Sequence, residues 1–220
     1  VAFDHMERFF PGAKIIYTGN PVRKNIVDFK FYGLGAHEFF GLKRGVPTIF
    51  VMGGSLGART INISIERHLE LKNAGVQVLW QTGKSYYEEL KKYNSDTIKV
   101  TDFIADMNKA YAMADVIVSR AGALSISELS IVGKPCILVP SPNVAEDHQT
   151  KNAKALSEKS AAWMVKDMDA PQELVQKALE LLKDKASQEL LIKNIKGFAK
   201  PNATEKIVDT VVEIMNELKK

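Results

Sequence analysis

The sequence predicts an α/β protein, a doubly wound parallel sheet of the Rossmann-like kind. Two observations carry this. Apolar runs of four to six residues, rich in valine and isoleucine, recur from residue 48 onward. Between them lie amphipathic stretches with helical spacing, so each run reads as a strand covered on both faces by helices.

The elements follow in order. "TIFVM" (48–52) is the first strand, followed by a Gly/Ser turn and a helix from Ala58 to Leu71. "VQVLW" (76–80) precedes the helix "SYYEELKKY", and "TIKV" (97–100) precedes "DMNKAYAMA". "DVIVS" (115–119) leads into "SRAGALSISEL", and "PCILVP" (135–140) into "DHQTKNAKALSEK". "AAWMV" (161–165) precedes a helix opened by Asp169 and Pro171, an N-cap with a first-turn proline. The tail from 187 to 219 is helical, with a break around Gly197 to Pro201. Ahead of the first strand, "AKIIYTGNPVR" (13–23) reads as a further strand running into a turn, and 24–45 as an irregular or helical connection.

Composition narrows the function classes. Of 220 residues, 45% are apolar and 25% charged, the proportions of an ordinary soluble globular protein. A net charge of +4, spread along the chain, points to no nucleic-acid partner. The single cysteine, Cys136, excludes an internal disulfide framework and suits a reducing compartment. No apolar run has the length of a membrane span. "VAFDHMERFFPGAK" lacks both an initiator methionine and a signal-peptide pattern, so the chain reads as a fragment. The four histidines, at 5, 37, 68 and 148, have no metal-ligand spacing, and no nucleophile elbow occurs.

In a doubly wound sheet, ligands bind beyond the carboxyl ends of the strands. Four stretches fall there. "MGGSLGA" (52–58) offers Gly54 and Ser55 at a helix start, a seat for phosphate, although it is neither a complete GxGxxG nor a Walker sequence. The competing reading is a glycine turn needed only for packing. In "SRAGALSISEL", the small residues Ala121, Gly122 and Ala123 admit a ligand to a second helix start, while Glu128 is placed to accept two bonds from vicinal hydroxyls. The plainer reading of Glu128 is a solvated glutamate favoured by the helix dipole. "PNVAEDHQTKNA" (142–153) brings Asp147, His148, Gln149 and Asn152 toward a sugar, with His148 taken as a capping or surface residue. Arg23, in "TGNPVR", is placed to neutralise a diphosphate. "DMD" (167–169) formally matches a metal-holding acidic motif, but its position before Pro171 favours capping.

Taken together, "TGNPVR", "GGSLGA", "TDFIADMNKAYAMADVIVSRAGALSISEL" and "GKPCILVPSPNVAEDHQTKNAKAL" occur in the order and spacing of the MurG family. These are the bacterial GlcNAc transferases of peptidoglycan synthesis, and the resemblance runs from about residue 14 to the C-terminus. It implies the C-terminal, donor-binding domain of a GT-B fold. Residues 1–23 would then be the end of the N-terminal domain and the hinge, 24–198 the UDP-GlcNAc-binding domain, and 199–220 a C-terminal helix packing back on the N-terminal domain. The family's "GGTGGH"-type acceptor loop has no counterpart here.

By this resemblance Glu128 holds the ribose hydroxyls of UDP. Gly122, Ala123, Leu124 and Ser125 line the diphosphate from one helix start, Gly54 and Ser55 from the other, and Arg23 approaches from the hinge. The backbone of Ile104 reads the uracil edge, and Gln149, with Asp147 nearby, contacts the GlcNAc hydroxyls. The implied reaction moves GlcNAc from UDP-GlcNAc to the 4-hydroxyl of MurNAc on lipid I, with inversion, giving lipid II. The resemblance implies no cofactor and no metal. It places the full-length protein peripherally on the cytoplasmic face of the inner membrane, with lipid I bound through the other domain and the general base outside this chain. It assigns no oligomeric state.

Two alternatives stand beside it. UDP-GlcNAc 2-epimerase shares the fold and nucleotide, but "SRAGALSISEL" and "GNPVR" separate it. A non-catalytic UDP-GlcNAc-binding subunit of a two-polypeptide GlcNAc transferase has about this length.

Overall fold

The structure is a computed structural model that describes Val1, Glu7, Phe10, residues 15–27 and residues 35–219. Among the described residues six strands form one sheet: β1 Thr48–Met52, β2 Gln77–Gln81, β3 Ile98–Thr101, β4 Val116–Ser119, β5 Cys136–Leu138 and β6 Trp163–Met164. Their order is β3-β2-β1-β4-β5-β6, and each neighbouring pair is parallel. The helices are α1 Lys24–Val27, α2 Ala36–Phe39, α3 Arg59–Arg67, α4 Lys84–Leu90, α5 Met107–Met113 and α6 Ala123–Val132. After them come α7 His148–Ser157, α8 Ala170–Lys183, α9 Lys185–Ile195 and α10 Ala203–Glu217. The doubly wound parallel α/β class expected from the alternation is the class observed.

Alternation along each strand divides the core into two layers. Phe50, Met52, Leu79, Ile117 and Leu138 face α5, α6 and α7. Ile49, Val51, Trp80, Val118 and Ile137 face α3 and α8. The chain therefore leaves β1 toward one face and β4 toward the other. Since β1 and β4 are neighbours, paired from Ile49↔Val116 to Met52↔Ser119, a crevice opens between their exits.

Several boundaries differ from expectation. The helix read as reaching Leu71 ends at Arg67 and continues as a 3-10 turn over Leu69–Asn73. β5 is confined to three residues between Pro135 and Pro140, neither of which can donate to a ladder. The edge strand β6 keeps two residues of the five expected. Residues 15–23 form no strand; Thr18 and Gly19 donate instead to the Val1 carbonyl at 3.0 and 3.2 Å. The first two residues of that expected strand, 13–14, lie outside the described residues, as do 28–34 of the connection after it. Pro171 sits in the first turn of α8, but Asp169 does not cap it through its side chain. Its backbone is already near-helical (φ −91°, ψ −16°), whereas a capping side chain works from an extended residue. Asp184 does cap, accepting from the Ser187 amide at 2.9 Å ahead of α9.

α10 packs little. Only Ala203 of this helix is buried, while Val208, Val211, Met215 and Leu218, at helical spacing along one face, stay exposed. Among the described residues no helix is long and apolar enough to cross a membrane.

One buried polar residue ties α3 to the sheet. Asn62 accepts from the Trp80 indole N–H at 2.9 Å and donates to the Thr82 carbonyl at 3.0 Å. Asn62→Ala strips both partners inside the core, so it should lower unfolding free energy by about 2–4 kcal/mol. Urea denaturation measures this, and a loss below about 1 kcal/mol would mean that the two groups find other partners.

Candidate functional site

The glycine loop after β1 performs two jobs. Gly57 donates to the Gly54 carbonyl at 3.1 Å, closing a tight turn, and both have positive φ, +89° and +84°. A Cβ on Gly57 would lie 2.2 Å from the Thr82 carbonyl oxygen, and one on Gly83 would lie 2.1 Å from the Gly57 nitrogen. Those two glycines exist for loop-on-loop packing. Gly54 is different: a Cβ there would meet nothing, so its side of the turn faces open space. Ser55 and Leu56 at the tip are exposed. The Gln81 amide holds the turn by donating to the Gly54 carbonyl at 3.2 Å. α3 then starts at Arg59 with its first-turn amides directed back to this loop.

The second helix start lies across the β1/β4 seam. Gly122 precedes α6 in an extended conformation (φ −67°, ψ 148°) with no side-chain cap. The first helical bond is Ile126 N–H to the Gly122 carbonyl, 3.0 Å, so the amides of Ala123, Leu124 and Ser125 precede the ladder. Asn152 of α7 fixes the approach by donating to the Ala121 carbonyl at 3.1 Å. Two helix starts thus stand on neighbouring strands, each with the partial positive charge that favours an anion.

Glu128 is held from two sides. Its Oε1 accepts from Arg23 Nη2 at 3.0 Å and Nε at 3.3 Å, and its Oε2 accepts from the Tyr111 hydroxyl at 2.9 Å. Tyr111 is fully buried on α5. Burial, and then the Glu128 charge, push its phenol well above the usual value of 10, so it remains a donor. Arg23 therefore stands on Glu128 rather than over either helix start. Asn20 adds a second tie from the same segment, donating to Ser127 Oγ at 3.1 Å.

Gln149, in the first turn of α7, accepts from the Ser141 amide at 2.9 Å. It lines a cavity of about 480 Å³ with Gly53, Thr60, Arg120, Ser141 and Asp167. The Ile104 side chain is buried, which anchors the backbone just beyond β3, and the neighbouring Phe103 ring is exposed. Gly54, Ser55, Gly122, Ala123, Leu124 and Ser125 thus gather at the two neighbouring exits, Ile104 follows β3, and Gln149 lies beyond β5. His148 is exposed, its Nδ1–H donating to the Ala145 carbonyl at 2.8 Å, so of the two readings it is the surface residue. The loop ahead of it holds Glu146 and Asp147 at positive φ, 54° and 53°.

Sequence reasoning missed an ion pair. Asp167 accepts from Arg120 Nη1 and from Thr60 Oγ1, the latter at 2.9 Å, and Arg120 also donates to the Val139 carbonyl at 3.1 Å. This joins α3 to the exits of β4, β5 and β6. "DMD" carried the signal, but its first aspartate serves the arginine and its last is no cap. Among the described residues no cluster of three or more metal-ligating side chains occurs. The Cys136 thiol, pushed up to about 12 by burial, is no nucleophile.

Comparison with known proteins supports the family and the fold. The family model described as Glycosyltransferase family 28 C-terminal domain matches residues 48–209. The UDP-N-acetylglucosamine–N-acetylmuramyl-(pentapeptide) pyrophosphoryl-undecaprenol N-acetylglucosamine transferase of Cytophaga hutchinsonii is 80% identical over 98% of this chain and 59% of its own length. Its namesake in Parabacteroides distasonis is 49% identical over 99% of this chain and 60% of its own. The chain thus spans about three-fifths of these relatives. Among solved structures, Acinetobacter baumannii MurG superposes with a TM-score of 0.69 at 28% identity, covering 92% of this chain and 58% of that one. A putative UDP-N-acetylglucosamine 2-epimerase from Listeria monocytogenes shares the fold alone, with a TM-score of 0.61 at 12% identity over 89% of this chain and 50% of that one.

The glycines separate by experiment. Gly57→Ala forces a side chain into positive φ against a carbonyl, and should cost at least about 2 kcal/mol of stability. At Gly122 an added Cβ meets only Ser125 Oγ, at 3.7 Å, in an allowed conformation. Gly122→Ala should therefore change stability by less than about 0.5 kcal/mol. Thermal melting of both variants checks this; similar losses would mean that Gly122 is also a packing residue.

Proposed function

The chain belongs to the glycosyltransferase family 28 C-terminal domain family, and from that premise we propose that it is the UDP-GlcNAc-binding part of an inverting GlcNAc transferase acting on lipid I. The observation that carries this reading is the pair of helix starts flanking the β1/β4 seam, with Glu128 one and a half turns into α6. The spacing suits a nucleoside diphosphate: phosphates on the amides of Ser55 and of Ala123, Leu124 and Ser125, ribose on Glu128. Uracil then lies toward the Ile104 backbone, with the exposed Phe103 ring beside it as a stacking surface.

In this reading the ribose hydroxyls meet the exposed edge of the Glu128 carboxylate in place of Arg23, and the guanidinium turns to the diphosphate. GlcNAc extends toward the cavity lined by Gln149. The acceptor 4-hydroxyl oxygen attacks the anomeric carbon as the bond to the diphosphate breaks, with inversion. The contribution of these residues is to stabilise charge growing on the leaving diphosphate, by amides already aimed at it. The general base and the lipid I contacts belong to the remainder of a longer protein, peripheral to the cytoplasmic face of the inner membrane. Residues 1–23 are the end of the N-terminal domain and the hinge to that remainder, 24–198 the donor domain, and the exposed apolar face of α10 packs on the remainder. A self-standing binding subunit is the weaker reading, because a relative 80% identical carries this segment within a longer chain.

The test is calorimetric titration. UDP should bind the chain, and the chain alone should transfer no sugar to lipid I. Glu128→Ala should weaken UDP by about 1.5–3 kcal/mol while barely affecting 2′,3′-dideoxy-UDP, which has no hydroxyls for the carboxylate. Equal losses for both ligands would make Glu128 structural and remove the ribose from this position.

A further inference from the structure

The Tyr111 hydroxyl has no part in the ligand contacts of the proposed function. Its ring is fully buried and packs edge-on against Phe50, with centroids 5.8 Å apart at 69°. Only the hydroxyl reaches the site, 2.9 Å from Glu128 Oε2 and 3.7 Å from Met52 Sδ. We propose that Tyr111 is the positioning residue for ribose recognition, fixing the plane of the Glu128 carboxylate so that its exposed edge meets both hydroxyls at once. This rests on the ribose reading of Glu128.

The argument is one of rigidity. A glutamate side chain has three rotatable bonds, and a vicinal diol is held well only when both carboxylate oxygens are presented together. Arg23 does not supply that order. Its side chain is 48% exposed, and it grips the outer oxygen from the surface. Tyr111 has two side-chain torsions, both fixed by core packing, and it grips the inner oxygen. Each carboxylate oxygen has two lone pairs, so the bond to Oε2 leaves an acceptor site on that oxygen for a ribose hydroxyl. Burial and the adjacent carboxylate keep the phenol protonated, so the constraint does not weaken with pH in the working range.

The same contact would also arise if Glu128 merely satisfied a buried phenol, and ligand discrimination separates the two cases. Tyr111→Phe keeps the ring and removes the bond. On the 220-residue chain it should weaken UDP roughly three- to tenfold and 2′,3′-dideoxy-UDP less than about twofold, both read by calorimetry. Introduced into Glu128→Ala, it should produce no further loss of UDP affinity, because its effect passes through the carboxylate. Equal weakening of both ligands, unchanged affinity for both, or additive loss in the double variant would each overturn the assignment. If Glu128→Ala itself fails to discriminate the ligands, the ribose reading falls and Tyr111 with it. Discrimination by Glu128→Ala without discrimination by Tyr111→Phe rejects the positioning role alone.

Discussion

Parallel pairing of β1 with β4 is the constraint from which the rest of the molecule follows. Each strand ends in a loop that enters a helix, but the helices leave toward opposite faces of the sheet. The starts of α3 and α6 stand on either side of the seam between the exits. The core enforces the arrangement: Val51 and Val118 share a register position, and their layer is closed by α3 and α8. Shifting that register by one residue would exchange the buried sets of the two faces. The position of the helix starts is therefore as secure as the core itself.

Around this seam, polar contacts fix what packing leaves free. Arg120 and Asp167 join four loops and helix ends with Thr60 and the Val139 carbonyl. Both side chains are largely buried, so losing either partner would strand a charge, and the pair acts as a clamp more than as a source of stability. Gln81 holds the glycine turn and Asn152 the approach to α6. Under the proposed function these contacts hold the amides in place before a ligand arrives, as electrostatic stabilisation of a leaving group requires. Arg23 is the exposed counterpart, paired with Glu128 from the surface, and under the proposed function it turns to the diphosphate.

Periodicity along the chain was enough to read the sheet, because burial on both faces writes a continuous apolar run. It served less well at the edge, where β6 keeps only Trp163 and Met164. Gly54 and Gly57 look alike in sequence, and only the neighbour across the gap, Thr82, separates an open-sided glycine from a packing glycine. The same limit applies to Asn62 with Trp80 and Tyr111 with Glu128, pairs fixed by tertiary packing of which local pattern carries no trace, while "DMD" flagged Asp167 without its partner Arg120. Asp169 shows the opposite error: local pattern made it a cap, but a near-helical backbone removed its reach.

The central claim is that an anionic nucleotide sits across the β1/β4 seam. Amide chemical-shift mapping of the 15N-labelled chain during titration with UDP tests it most directly. The account predicts saturable shifts that are largest at Gly54, Ser55, Ile104, Ala123, Leu124 and Ser125. Gly75, Ser95 and Lys134, at the opposite edge of the sheet, should stay nearly unmoved. Shifts centred on that opposite edge or on the outer surfaces of α8 and α9, or no saturable shift at all, would contradict it.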